Sequence, residues 1–189
     1  HLPMALTPTT SIPLGFTAPD LLLPDTVSGA MCSRDEWMTG GPTVVAFICN
    51  HCPYVVHLLD GFVKVAKSYG KRGVQSVAIS SNDVQRYPMD GPKEMKTLAT
   101  EYAFDFPYLF DETQETAKAY GAACTPDFSI FDASKTCVYR GRFDASRPGN
   151  GIPVTGSDLT AVLDLLLAGK KVPEDNQPAS IGCNIKWKE

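Results

Sequence analysis

The sequence lacks long hydrophobic runs, basic clusters, internal repeats and low-complexity segments. No apolar stretch approaches the roughly 20 residues that a membrane-spanning helix needs, so we expect no membrane association. The net charge of -4, without basic clusters, argues against a nucleic-acid surface. With 189 residues, of which 43% are hydrophobic, the chain has enough apolar material for one substantial core. One domain is therefore the expected organisation.

A secretory signal is also missing from the first residues, HLPMAL, which have neither a basic region nor a long apolar region. We interpret His1 to Pro3 as a cloning remnant ahead of a native Met4. The expected location is therefore cytoplasmic, where closely spaced cysteines more often serve redox or metal chemistry than structural disulfides. A signal removed before the present first residue is an alternative that the sequence leaves open.

What the sequence does contain is a pair of cysteines, Cys49 and Cys52, separated by two residues. The preceding segment, 43–48, is short, apolar and rich in β-branched residues, which predicts a buried strand. After the pair, apolar residues recur every three or four positions as far as Gly70, which predicts an amphipathic helix that begins near Cys52. The pair therefore lies where a buried strand meets a helix.

This location predicts thiol chemistry, because the free N–H groups and positive dipole end of a helix stabilise a nearby anion. Cysteines in such a setting titrate at roughly 3.5 to 7.5 instead of ~8.5. We predict that Cys49 is the exposed attacking sulfur and that Cys52, one turn inside, is the shielded resolving sulfur. Protonated His51 would stabilise the Cys49 thiolate and make the pair more oxidising, although a solvated loop histidine is the alternative. No bound cofactor beyond the Cys49–Cys52 disulfide is required.

The rest of the chain alternates strand-like and helical patterns, which predicts an α/β fold with a central mixed sheet flanked by helices. We place the domain at 13–169, with an N-terminal extension at 1–12 and a C-terminal tail at 170–189 that packs on the domain. Further strands are predicted at 74–80, 106–110, 128–132 and 136–139, and further helices after Pro92, over 112–120 and before Gly169.

Three segments, GFTAPDLLLPD at 15–25, CNHCPYV at 49–55 and IGCNIKWK at 181–188, carry a family resemblance. The chain resembles the thioredoxin-like superfamily, in particular its branch of alkyl hydroperoxide reductases and thiol-specific antioxidant proteins, and a bacterial thiol-disulfide isomerase subgroup. The resemblance covers 13–189. It implies a thioredoxin-like fold and a thiol-disulfide oxidoreductase in cell redox homeostasis. Its partners would be protein disulfides or dithiols and a reductant or oxidant protein, whereas the substrate, the direction of electron flow and the oligomeric state do not follow.

The same resemblance assigns substrate-binding residues. Pro126 matches a cis-proline that faces the CxxC motif, and the backbone of Thr125 is expected to pair with an extended substrate segment. Asn50 and Pro53 complete the expected substrate-binding set. Without the resemblance, Pro126 would be interpreted as an ordinary trans-proline at the start of a strand.

Two residues depart from the thioredoxin pattern. Ile48 stands where thioredoxin has a tryptophan, and the strand at 43–48 lacks the buried acidic residue that assists proton transfer at the inner cysteine. Fast turnover is therefore not expected unless another group or a water molecule substitutes for that carboxylate.

Two other functions compete with this interpretation. A peroxiredoxin-like peroxidase needs a threonine three residues before its reactive cysteine. The residue three before Cys49 is Ala46, and the residue three before Cys52 is Cys49, so this motif is absent. Arg140 and Arg142 are interpreted as solvated or paired residues of a hairpin and are left out of the catalytic set.

A zinc-binding module would use Cys49 and Cys52 with His51, His57 or Cys183. However, the sequence contains only one CxxC motif, and we expect no bound metal.

Four more cysteines require an interpretation. Cys183 lies in the polar tail, either as a third thiol at the active site or as a small buried hydrophobe. Cys124, next to Thr125, is a second candidate for a thiol near the site. Cys32 and Cys137 are interpreted as structural thiols, and His57 as a surface or packing residue of the helix.

Overall fold

The computed structural model describes residues 6–189, so the interpretation of His1 to Pro3 concerns residues outside the described part. The strands are β1 (Leu6–Pro8), β2 (Leu22–Pro24), β3 (Met31–Ser33), β4 (Thr43–Phe47), β5 (Gln75–Ser80), β6 (Tyr108–Phe110), β7 (Cys124–Thr125), β8 (Asp127–Phe131), β9 (Cys137–Gly141) and β10 (Ile181–Asn184). The α-helices are α1 (Arg34–Trp37), α2 (Pro53–Gly70), α3 (Pro92–Glu101), α4 (Glu115–Ala119) and α5 (Ser157–Leu167), and a short 3-10 helix covers Pro88–Asp90.

A five-stranded mixed sheet with the order β6-β5-β4-β8-β9 forms the centre of the molecule. Strands β4, β5 and β6 are parallel, and α2 and α3 connect them. Strands β8 and β9 run antiparallel, β8 beside β4 and β9 beside β8. The predicted α/β class with a central mixed sheet is confirmed.

The central strand β4 is buried along its whole length, because its alternating side chains enter two hydrophobic cores. Val44 and Ala46 belong to a core that includes residues of α2, α3 and α5. Val45 and Phe47 belong to a second core with residues of α1 and α4. Helices therefore cover both faces of the sheet, and the end of β4 is held rigidly between them.

Helix α2 confirms the predicted amphipathic helix and begins at Pro53, a residue whose fixed φ suits the first helical turn. Phe62, on its buried face, packs against the rings of Phe106, Phe128 and Phe143 at centroid distances of 5.2, 5.3 and 6.1 Å. These ring contacts fix the helix on the sheet. The segment 48–52, which joins β4 to α2, is therefore anchored at both ends.

The C-terminal segment forms a strand that the sequence pattern does not predict. Strand β10 lies between β1 and β7 in a separate three-stranded antiparallel sheet. Beyond it, the backbone N–H of Lys186 donates to Asn82 Oδ1, and Gln114 Nε2 donates to the Lys186 carbonyl. The tail is thus built into the molecule next to the CxxC segment.

A second element outside the predicted set is the hairpin of β2 and β3, followed by the single turn of α1. Trp37 of α1 packs into the second core with Ala18 and Leu21. Among the helices of the described residues, none combines the length and the apolar character needed to cross a membrane.

Candidate active site

The two cysteines of the CxxC motif lie at the carboxyl end of β4, as predicted, but their burial differs from the prediction. Cys49 is 1% exposed and Cys52 is 0% exposed. The expectation of an exposed Cys49 is therefore wrong for this structure. Cys52 is also not one turn inside the helix, because it is the N-cap residue and α2 starts at Pro53.

The hydrogen-bond donors of the site act mainly on Cys52. Its sulfur receives hydrogen bonds from the thiols of Cys183 and Cys49 and from the backbone N–H groups of Cys183 and Val55, and these donors lower the pKa of Cys52 well below its ordinary value. Burial opposes this shift without cancelling it. The protonated thiol of Cys52 would donate to the Thr125 carbonyl oxygen, which lies 3.5 Å from Cys52 Sγ.

Cys49 shows the opposite shift, which corrects the prediction of a low pKa at this residue. Its thiol donates to the Cys52 sulfur, and this bond together with burial raises the pKa of Cys49. Thr125 Oγ1 lies 3.6 Å from Cys49 Sγ and stabilises its anion in part. The proton shared by the pair therefore resides on Cys49 in the reduced resting state.

A buried carboxylate, Asp90, holds the loop between the two cysteines. Its Oδ1 accepts the backbone N–H of Asn50 at 2.9 Å, and its Oδ2 accepts from Asn82 Nδ2 at 2.9 Å. The Asn50 side chain is fixed as well, since Nδ2 donates to the Met89 carbonyl and Oδ1 accepts from the Tyr108 hydroxyl. These bonds give the CxxC loop a single geometry.

His51 faces the same carboxylate. Its Nδ1 lies 2.6 Å from Asp90 Oδ2, outside hydrogen-bond alignment, so the contact is an ion pair when the imidazole is protonated. Asp90 raises the pKa of His51, although partial burial opposes the shift. The ring also stacks on Tyr87 with an interplanar angle of 4°. His51 is thus a positioned residue rather than a freely solvated one, and its cationic form is favoured.

The predicted substrate-binding pair, Thr125 and Pro126, lies beside the two cysteines, and the peptide bond between them is cis. However, Thr125 is the antiparallel partner of Cys183 in β10. The edge of Thr125 on which the sequence places a substrate segment is occupied in this structure by the protein's own C-terminal strand. Pro53, by contrast, is exposed at the start of α2.

Of the two candidate third thiols, only Cys183 contacts the pair. Its thiol is a hydrogen-bond partner of the Cys52 sulfur, and the residue is 1% exposed in the same core as Cys49 and Cys52. Cys124 points elsewhere, with its thiol 3.9 Å from the Pro126 carbonyl oxygen and hydrogen-bonded to Asp127. Burial and the Asp127 carboxylate raise the pKa of Cys124, which keeps it a thiol.

The remaining candidate residues lie away from the cysteines. His57 Nε2 is 2.7 Å from Ser146 Oγ, and Arg142 forms an ion pair with Asp158 at 2.7 Å. Arg140 is 6% exposed rather than solvated, and its guanidinium donates to the carbonyl oxygens of Thr10, Tyr120 and Gly121. Of the other two cysteines, Cys137 is buried and Cys32 is half-buried.

Sequence reasoning missed Asp90, Asn82 and Tyr108, because each reaches the CxxC loop from a different part of the chain. Asp90 precedes a Gly-Pro pair, a pattern that indicates a turn and no chemistry. Among the described residues, the group whose ligand atoms could hold a metal is Cys49, His51 and Asp90, all within 4.8 Å of one another. Cys52, Cys183 and His57 of the predicted zinc set are not in this group.

Comparisons with known proteins identify a family and several solved structures that are similar to this chain. The family model described as AhpC/TSA family matches residues 14–143. No match was found among curated proteins. An uncharacterized conserved protein from Geobacillus kaustophilus is 51% identical, with 99% of this chain and 98% of that chain covered and a TM-score of 0.96.

Two further solved structures are similar to this chain, one at high and one at low sequence identity. A hypothetical protein from Sinorhizobium meliloti 1021 is 46% identical, with 96% of this chain and 98% of that chain covered and a TM-score of 0.93. A thiol:disulfide interchange protein of the thioredoxin family from Chlorobium tepidum TLS is 18% identical, with 83% and 99% covered and a TM-score of 0.62. At that identity the similarity shows the fold alone, and the fold is thioredoxin-like.

Proposed function

Since the chain belongs to the AhpC/TSA family, a group with thioredoxin-like redox function, we propose that it is a thiol-disulfide oxidoreductase whose Cys49 and Cys52 exchange electrons with a protein disulfide. The observation that carries this proposal is the hydrogen bond between the two sulfurs at the N-terminus of α2. Two thiols that share one proton in this way are prepared for exchange, because the nucleophile in exchange is a thiolate.

Cys49 is the thiol that meets the substrate. Its neighbours Asn50 and His51 are partly exposed, whereas Val55, Thr125 and Cys183 around Cys52 are all buried. For attack, the proton of Cys49 moves along the S–H···S hydrogen bond to Cys52. The new anion on Cys49 is then stabilised by the Thr125 hydroxyl and by protonated His51.

The exchange then proceeds in two steps. The Cys49 thiolate attacks one sulfur of the substrate disulfide, the second substrate sulfur leaves as a thiolate, and Cys49 is joined to the substrate. Cys52 gives up its proton and attacks Cys49 Sγ, and the first substrate sulfur leaves with that proton. Two electrons pass to the substrate, and the protein retains a Cys49–Cys52 disulfide. A reductant protein restores the dithiol, or an oxidant protein drives the cycle in the opposite direction.

The surface around the site suits a polypeptide substrate. Val56, in the first turn of α2, is 43% exposed, and Met89, whose carbonyl binds Asn50, is 50% exposed. A shallow depression beside Pro126 is lined by Tyr54, Ser180 and Arg147, among others. These two side chains and the depression offer contacts to a polypeptide chain.

The test is reduction of insulin disulfides in the presence of dithiothreitol. Wild-type protein should accelerate insulin precipitation, and Cys49→Ser should abolish the acceleration, since it removes the attacking sulfur. Cys32→Ser is the matched control because Cys32 is half-buried on β3, and it should retain full activity. Activity retained by Cys49→Ser would overturn the proposal.

A second candidate function, peroxide reduction at Cys52, is favoured by the lowered pKa of that thiol and by Pro53, which places its sulfur at a helix start. The thiolate would attack the peroxide and become a sulfenic acid, and a neighbouring thiol would displace water to form a disulfide. Peroxide consumption that is lost in Cys52→Ser, without insulin reduction by the wild type, would establish this function instead. Stoichiometric zinc binding without either activity would establish a metal-binding module.

A further inference from the structure

The strand-pairing edge beside the CxxC motif presents a third sulfur to the redox pair. Strand β10 pairs with β7 so that Cys183 is the direct partner of Thr125. The Thr125 carbonyl oxygen is in turn 3.5 Å from Cys52 Sγ. The chain's own strand therefore occupies the place expected of a substrate segment, and it brings the Cys183 thiol next to Cys52.

The close packing of the two strands holds this arrangement in place. A Cβ atom added at Gly182 would lie 1.9 Å from the Thr125 carbonyl oxygen, so only glycine permits this approach. Ser180 Oγ donates a hydrogen bond to the Pro126 carbonyl on the other side of the pairing. Cys183 directly follows this anchored segment and lies next to the sulfur of Cys52.

Of the three sulfurs, that of Cys52 is hydrogen-bonded to the other two. Cys52 contacts both Cys49 and Cys183, whereas the groups that act on the Cys49 sulfur are Cys52, Thr125 and Asp90. All three cysteines are at most 1% exposed, so exchange among them would take place within the core. Thiol-disulfide exchange needs an attacking sulfur next to a disulfide sulfur and a second sulfur that can leave. The central sulfur, Cys52, meets these requirements on both sides.

We propose that Cys183 is a third exchange-active thiol, which attacks Cys52 Sγ of the Cys49–Cys52 disulfide and takes over the bond. This inference rests on the proposed function. The Cys52–Cys183 bond forms, the Cys49–Cys52 bond breaks, and the electron pair leaves on Cys49 Sγ. The proton that Cys183 loses is transferred to Cys49, so the oxidation state of the protein does not change.

The exchange gives the oxidised protein a property that a two-cysteine centre lacks. With the disulfide held between Cys52 and Cys183, Cys49 is again a free thiol beside the partly exposed residues Asn50 and His51. An oxidised molecule can then form a mixed disulfide with a substrate, which is the first step in rearranging the disulfides of a misfolded chain.

The test oxidises Cys49→Ser with oxidised glutathione and maps disulfides by mass spectrometry after trypsin cleavage without reduction. In this variant the peptide 35–64 contains Cys52 as its one cysteine, and the peptide 172–186 contains Cys183 alone. Most molecules should contain these two peptides joined. The matched variant Cys52→Ser should give little of the joined product, because the proposal places the bond between Cys52 and Cys183, and Cys49→Ser combined with Cys183→Ala should give none.

Wild-type protein treated in the same way separates the two proposals. If the wild type forms an intramolecular disulfide within 35–64 and reduces insulin, but Cys49→Ser yields no joined peptides, the third-thiol proposal is wrong and the proposed function stands. If the wild type neither forms that disulfide nor reduces insulin, the proposed function is wrong. Unchanged thermal unfolding of reduced Cys49→Ser excludes misfolding as the cause.

Discussion

Cys183 of β10 and Thr125 of β7 are direct partners across an antiparallel strand pair, next to the buried sulfur of Cys52. The pairing makes the C-terminal segment part of the candidate active site. A polypeptide substrate must therefore either approach beside β10, over the depression at Pro126, or displace β10 from the Thr125 edge. Changes in β10 should accordingly alter both stability and access to the cysteines.

Gly182→Ala should loosen β10. The added methyl group would meet the Thr125 carbonyl oxygen at 1.9 Å, and backbone on both sides prevents a simple adjustment. We expect a loss of unfolding free energy of roughly 1–3 kcal/mol, typical of overpacking, and faster alkylation of Cys183. Gly70→Ala is the control, because a Cβ there meets no atom within 4 Å. Equal denaturation midpoints and equal alkylation rates for wild type and Gly182→Ala would contradict this account of the strand pairing.

Replacing either cysteine of the motif should reveal which sulfur carries the negative charge. The donors around Cys52 lower its pKa, whereas the bond to Cys52 and burial raise the pKa of Cys49. Reduced protein at about pH 7 should therefore show ultraviolet thiolate absorption that disappears in Cys52→Ser and persists in Cys49→Ser. Thiolate absorption that is lost in Cys49→Ser instead would support the sequence-based prediction that Cys49 has the low pKa. Cys32→Ser, away from the site, should leave the signal unchanged.

Asp90→Asn should lower the pKa of His51, because it removes the carboxylate that favours the imidazolium. A raised folded-state pKa contributes stability that is complete below the unfolded value of about 6.5 and is lost as the pH rises through the folded value. The stability difference between wild type and Asp90→Asn should therefore shrink as the pH rises from about 6.5 through the raised pKa of His51 in the wild type.

Histidine resonances in NMR spectra, recorded across the pH range, provide the measurement for Asp90→Asn. His57→Ala supports their assignment, since His57 contacts Ser146 and not Asp90. A His51 titration that is identical in wild type and Asp90→Asn would show that the carboxylate does not control the imidazole.

Asp127 should make the fold more stable in acid than at neutral pH. Burial raises the pKa of this carboxyl from 3.8 to about 7, against the hydrogen bond from Thr9. The carboxyl is neutral in the folded protein at pH values where the unfolded chain is already ionised, so stability present below about pH 4 is lost as the pH rises through about 7. The shift corresponds to roughly 4 kcal/mol at most.

Asp127→Asn is the matched variant, because the amide oxygen can still accept the hydrogen bond from Thr9 Oγ1. Its urea denaturation midpoint should change less between about pH 4 and pH 7 than that of the wild type. If both proteins lose the same stability over this range, another group is responsible for the pH dependence.

The sequence alone determined the central sheet and the location of the cysteine pair. The β-branched run at 43–48 and the spacing of apolar residues after Cys52 are local signals, and β4 and α2 follow from them. The segment 181–188 contributed to the family resemblance, yet its strand was not predicted, because four residues with no alternating pattern form β10 only when β1 and β7 lie on both sides.

The tertiary structure alone decided the chemistry around that pair. The burial of Cys49, the lowered pKa of Cys52 and the ion pair of His51 depend on Asp90, Thr125 and Cys183, which are far apart in the chain. A pKa responds to desolvation and to donors within a few ångströms, and spacing along the sequence carries no such distances for residues brought together by folding. The CxxC motif therefore predicts which atoms react, and the fold decides which of the two pKa values is raised and which is lowered.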